Sequence, residues 1–140
     1  MCGSVEEAPQ SVVIGPMEVR DVSKSAEFQA ALLAVRDGAL SEGRASEYDV
    51  YVTTDAGVVC NVTSAETTKE EGPFFLREIY PTKAAQDEHG KDSGALNAFR
   101  AVKGALADFK NPERAVDVPP ATVTEGKVVT EVEFLAQVNI

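Results

Sequence analysis

The segment that most constrains the fold is 128–140. Val128, Thr130, Val132, Phe134, Ala136, Val138 and Ile140 alternate there with Val129, Glu131, Glu133, Leu135, Gln137 and Asn139. A period of two is the spacing at which a strand turns successive side chains to opposite faces. At about 3.3 Å per residue, a strand of this length crosses a whole sheet. The alternation therefore predicts a long final strand, with the set that includes Val129, Glu131, Glu133 and Leu135 facing outward.

Other segments add a helix-and-sheet pattern. Val12, Val13 and Ile14, then Met17 and Val19, predict a strand interrupted at Gly15-Pro16. A helix is expected from about 23 to 42. Ser23 or Ser25 would cap it, and Phe28, Leu32, Val35 and Ala39 recur along one face. Tyr48, Val50 and Val52 alternate with Asp49, Tyr51 and Thr53, and Val58, Cys60 and Val62 alternate in turn. Asp55-Ala56-Gly57 between them predicts a hairpin. After a polar loop over 64–73, Phe74–Tyr80 predicts a third strand, closed by Pro81. Residues 82–92 read as a polar loop. A second helix over about 93–110 carries Leu96, Phe99, Val102, Leu106 and Phe109 on its stripe, and a Pro-containing connection spans 112–126. Residues 1–11 read as a flexible leader and 12–140 as a single domain. The expected class is α+β: one mixed or antiparallel sheet of four to five strands against two helices, in the order β-α-β-β-(β)-α-β.

The formal net charge of -10 argues against a nucleic-acid backbone or an anionic lipid surface as partner. Arg77, Arg100, Lys103, Lys110 and Arg114 are expected on solvated surfaces. Gly-x-Ser-x-Gly, a phosphate loop and zinc-ligand spacings are all missing from the sequence, so neither catalytic residues nor cofactors are assigned. The only histidine, His89, falls in Asp87-Glu88-His89-Gly90. It reads as part of a solvated loop, with a weak divalent-metal site as the alternative. Cys60 reads as a buried free thiol, with a bridge to Cys2 as the alternative. Glu131 and Glu133 are a carboxylate pair on the outer face of the expected last strand.

Two stretches resemble known families. Cys2-Gly3-Ser4, followed by Val-Glu-Glu-Ala-Pro-Gln-Ser, resembles the start of a mature bacterial lipoprotein, which implies a lipid anchor at Cys2 and a place in the periplasm or cell envelope. The order from residue 47 onward resembles the C-terminal domain of TonB and TolA. It is carried by Asp55-Ala56-Gly57-Val58, by a helix with Ala95, Leu96, Ala98, Phe99, Ala101 and Val102, and by Gly126 before a long alternating strand. This resemblance implies a non-enzymatic protein-interaction domain that adds a strand across a sheet edge. The exposed face or edge of the expected last strand, with Val129, Glu131, Glu133 and Leu135, is the candidate partner-binding surface. The same layout is similar to phage tail-completion and tail-terminator proteins, which implies a virion structural subunit that assembles into a ring of copies.

Overall fold

The computed structural model describes residues 8–64, 73–109 and 121–138. Strand β4 (Phe74–Tyr80) is buried along its whole length. It pairs antiparallel with β1 (Gln10–Val19) on one side and with β2 (Glu47–Thr53) on the other. β3 (Val59–Val62) forms the outer edge beyond β2. At the far edge two short strands share β1: β5 (Ala107–Phe109) pairs with its end and β6 (Ala121–Glu125) with its beginning. The order is thus β3-β2-β4-β1-β5, with β6 also on β1. The α+β class, the antiparallel sheet and the expected first four strands agree with the reading from sequence.

Local chemistry accounts for these elements. In the β2–β3 hairpin Gly57 adopts φ 82°, a conformation glycine takes without steric cost, and Thr54 N–H donates to the Val58 carbonyl at 2.8 Å. In β1 the register shifts between Ile14 and Met17, a bulge at the Gly15-Pro16 interruption. Helix α1 (Ser25–Ser41) follows a single 3-10 turn at Val22–Lys24. Asp21 caps that turn, accepting from Ser23 N–H at 3.0 Å. Phe28, Leu32, Val35 and Ala39 are all buried, as their spacing predicts.

Three segments differ from expectation. Residues 83–92 form a helix, α2 (Lys83–Asp92), rather than a loop. Thr82 caps it, accepting from Ala85 N–H at 3.0 Å. Its apolar stripe is too thin to show as periodicity, because His89 is its only buried residue. The next helix, α3 (Gly94–Leu106), ends earlier than its apolar stripe suggests, and the chain passes directly into β5. Finally, no strand occupies 128–138. The connection yields a strand at 121–125 instead, and Glu131–Val138 is a helix, α4. The helical start is encoded in Thr130-Glu131-Val132-Glu133, a capping-box spacing. Glu133 N–H donates to Thr130 Oγ1 at 3.2 Å, and Phe134 N–H donates to the Thr130 carbonyl at 2.9 Å. Phe134 and Val138, four apart, are both fully buried.

Helices cover both faces of the sheet. α1 and α3 pack on one face over Phe28, Leu32, Val50, Val52, Phe74 and Phe99. The opposite face holds a smaller core of Val13, Tyr51, Val59, Phe75, Phe134 and Val138, closed by α4. Arg77, expected on a solvated surface, is only 4% exposed on that second face. Its guanidinium donates to Asp49 at 2.6 Å, to Glu47 at 3.1 Å and to the Val129 carbonyl at 2.8 Å. Ser11 completes the stitch, accepting from Val129 N–H at 2.7 Å and donating to the Lys127 carbonyl at 3.2 Å. A buried cation is tolerated because its donors are met on three sides.

α1 and α3 meet closely at Gly38, where a Cβ would lie 2.4 Å from that of Ala95. Gly38→Ala is expected to force the helices apart and cost about 1–3 kcal/mol, despite the better helix propensity of alanine. Urea denaturation measures this. An unchanged or increased midpoint would show that the helices separate without loss.

Candidate functional site

Period two and register assemble a cavity on the α1/α3 face of the sheet. On β4, Leu76, Glu78 and Tyr80 point the same way. Glu78 lies opposite Tyr48 of β2 on one side and Val12 of β1 on the other. Val12, Ile14 and Met17 form the floor. α2 supplies Gln86 and His89 to the wall, and α3 supplies Leu96, Phe99 and Arg100. The cavity, open on one side, has a volume of about 320 Å³, within the range of small-molecule sites.

One carboxylate interrupts this apolar surface. Glu78 is 3% exposed. Tyr80 donates its hydroxyl hydrogen to Glu78 Oε1 at 2.5 Å, and the Tyr48 hydroxyl also bonds to Glu78. Burial pushes the carboxyl pKa up to about 7, and the two tyrosine hydroxyls, which favour the ionised form, hold it from going further. Burial and the neighbouring Glu78 drive the pKa of both tyrosines upward, so they remain donors. His89 lies against both rings, with centroids 5.9 Å from Tyr48 and 5.5 Å from Tyr80. Burial lowers its pKa. Glu42 opposes that shift, and Arg100 and Arg44 add to it.

A raised carboxylate pKa links protonation to folding. An unfolded Glu78 ionises near 4.5, whereas the folded one ionises near 7. Below 4.5 both states hold the proton. Between the two values the unfolded chain releases it first, so stability falls as pH rises across that window and levels off above it. The loss is on the order of a few kcal/mol. Glu78→Gln is expected to abolish this component. Urea midpoints of both proteins from pH 4 to 8 should diverge upward through the window in favour of the variant. Parallel curves would mean that Glu78 titrates normally.

The sequence-predicted residues fall elsewhere. Val129, Glu131, Glu133 and Leu135 belong to the segment on the opposite side of the sheet. Val129 and Leu135 are half-buried against the second core rather than outward on a strand. Glu131 accepts from the Tyr51 hydroxyl at 3.0 Å and from Asn61 at 3.2 Å, while Glu133 pairs with Lys127 at 3.5 Å. Cys60, expected to be buried, is an exposed free thiol on the edge strand. Cys2, most of the 1–11 leader, the greater part of the 64–73 loop and residues 110–120 lie outside the described residues. Of Asp87-Glu88-His89, only His89 turns inward; Asp87 is exposed and pairs with Lys83 at 3.9 Å. Among the described residues, no three His, Cys, Asp or Glu side chains gather as metal ligands. Likewise, no described helix is long and apolar enough to cross a membrane.

Sequence reasoning missed Glu78, Tyr48 and Tyr80. The signal was there: Arg77-Glu78 is a charged pair in the middle of a strand that is otherwise apolar. Charges in a central strand are rarely buried without a purpose that offsets their desolvation.

No family model matches this sequence, and no curated protein matches it. Solved structures do share its fold. Rv0793 from Mycobacterium tuberculosis is 23% identical, with a TM-score of 0.53 over 84% of this chain and 92% of that one. SnoaB from Streptomyces nogalater, a cofactor-independent oxygenase, is 8% identical, with a TM-score of 0.51 over 86% and 92%. A protein from Nitrosomonas europaea, provisionally named an antibiotic biosynthesis monooxygenase, is 12% identical, with a TM-score of 0.52 over 89% and 92%. These likenesses overturn the expected relation to TonB and TolA. With it go the non-enzymatic envelope-domain reading and its virion-subunit alternative, since both rest on a layout that this fold does not have. The pattern behind that relation depended on a terminal strand, and the segment is a helix. The chain shares its fold with these three proteins.

Proposed function

We propose that this protein is an enzyme acting on a small, largely apolar molecule held between the sheet and helices α2 and α3, with Glu78 as proton acceptor. The observation that carries this reading is the carboxylate itself. It is buried in the wall of an apolar cavity, is held by two tyrosine hydroxyls, and titrates near neutrality. A base with a pKa near the working pH is the most effective at taking a proton from a weak acid. The cavity accommodates one or two fused rings, and the fitting weak acids are phenols, enols and activated carbon acids.

The shared fold with SnoaB supports oxygenation as the reaction. Removing a proton concentrates electron density on the substrate, which then serves as its own reductant toward dioxygen. The balanced conversion is a methylene plus O2 to a carbonyl plus water: one oxygen atom enters the product and the other leaves as water. Glu78 would accept the first proton, and the hydroxyls of Tyr48 and Tyr80 would stabilise the carboxylate before that transfer. The fitting experiment is oxygen uptake by the purified protein with a panel of one- and two-ring phenols and enolisable ketones, alongside calorimetric binding. Protein-dependent uptake that rises with pH through about 7 and then levels is the expected result. If no panel member binds saturably, the reading fails.

A further inference from the structure

We propose that His89 is the specificity group of this cavity: its imidazole hydrogen-bonds a hydroxyl on the ligand ring, so the site prefers a hydroxylated ring to an apolar ring of the same shape. This inference rests on the small-molecule reading of the cavity and names what that molecule must carry. His89 is 5% exposed, and neither ring nitrogen has a hydrogen-bond partner among the described residues. Buried polar atoms are rarely left so. The obvious partners are already engaged. The Tyr48 and Tyr80 hydroxyls serve Glu78, and Arg100 donates to the Gly90 carbonyl at 3.1 Å. A neutral imidazole offers one donor and one acceptor, and a hydroxyl satisfies either. A site with unmet polar groups in its wall discriminates strongly against an analogue that lacks the matching group.

The test compares 1-naphthol with 1-methylnaphthalene, which replaces the hydroxyl by a methyl of similar size. Dissociation constants are measured on the full chain, on His89→Phe, and on His89→Gln, which keeps a donor and an acceptor. The wild type should favour the naphthol by about 10-fold or more, as expected for one hydrogen bond to an otherwise unmet buried group. His89→Phe should cut that preference several-fold, leaving the part that Glu78 contributes by accepting from the ligand hydroxyl, and His89→Gln should retain most of it. Because His89 is the only histidine, its ring-nitrogen NMR signals need no assignment in the wild type. They should move on saturation with the naphthol and stay in place with the methyl analogue, a readout that survives even if a variant misfolds. A preference unchanged in His89→Phe, or unmoved ring nitrogens at saturating naphthol, would overturn the role of His89 while leaving the cavity reading intact. If neither probe binds the wild type, both fall together.

Discussion

Phe134→Ala is expected to destabilise the protein by about 3–5 kcal/mol, while Val132→Asp changes stability by no more than about 0.5 kcal/mol. Phe134 is fully buried, 4.4 Å from the Tyr51 ring and 6.2 Å from that of Phe75. Its loss would leave a cavity beneath α4 and take away the main contact that holds the helix to the sheet. Val132 is 78% exposed. The pair is decisive because a strand over 128–140 would place both residues on one face, whereas a helix separates them by about 200° at 3.6 residues per turn. Denaturant titrations of the two variants check this. Comparable losses would mean that the segment is a strand after all.

The second large effect concerns Glu78. If it is the proton acceptor, Glu78→Gln should lower turnover of a phenolic or enolisable substrate by about 100- to 10,000-fold, with little change in binding, because the amide is nearly the same shape. The wild-type rate should rise with pH through about 7 and then level, since only the ionised carboxylate accepts a proton. The variant should lack that limb. Tyr80→Phe removes a hydrogen bond that favours the ionised form, so the limb should move to higher pH. A full rate in Glu78→Gln would assign the proton transfer elsewhere. Steady-state rates across pH 5 to 9 separate these outcomes.

Much of the cavity's scaffold was legible in the residues. Phe74–Tyr80, the hairpin around Gly57 and the buried face of α1 follow from local periodicity and turn chemistry, which act within a few residues. The terminal segment was legible in two conflicting ways: its alternation favoured a strand, and Thr130-x-x-Glu133 favoured a helix start. Local pattern could not choose between them. Val13, Tyr51 and Phe75 present an open apolar face on the sheet, and a helix carrying Phe134 and Val138 four apart covers it.

By itself the sequence determined the α+β class, the strands that form the centre of the sheet, and the lack of any linear motif for nucleophile, phosphate or zinc. Tertiary structure alone decided that Glu78, Tyr48, Tyr80 and His89 share one cavity. These residues come from β2, β4 and α2, and they meet only through strand register and the docking of a polar helix. The shifted proton affinities follow from the same cause. Desolvation depends on what surrounds a carboxylate in three dimensions, and its neighbours along the chain do not specify that.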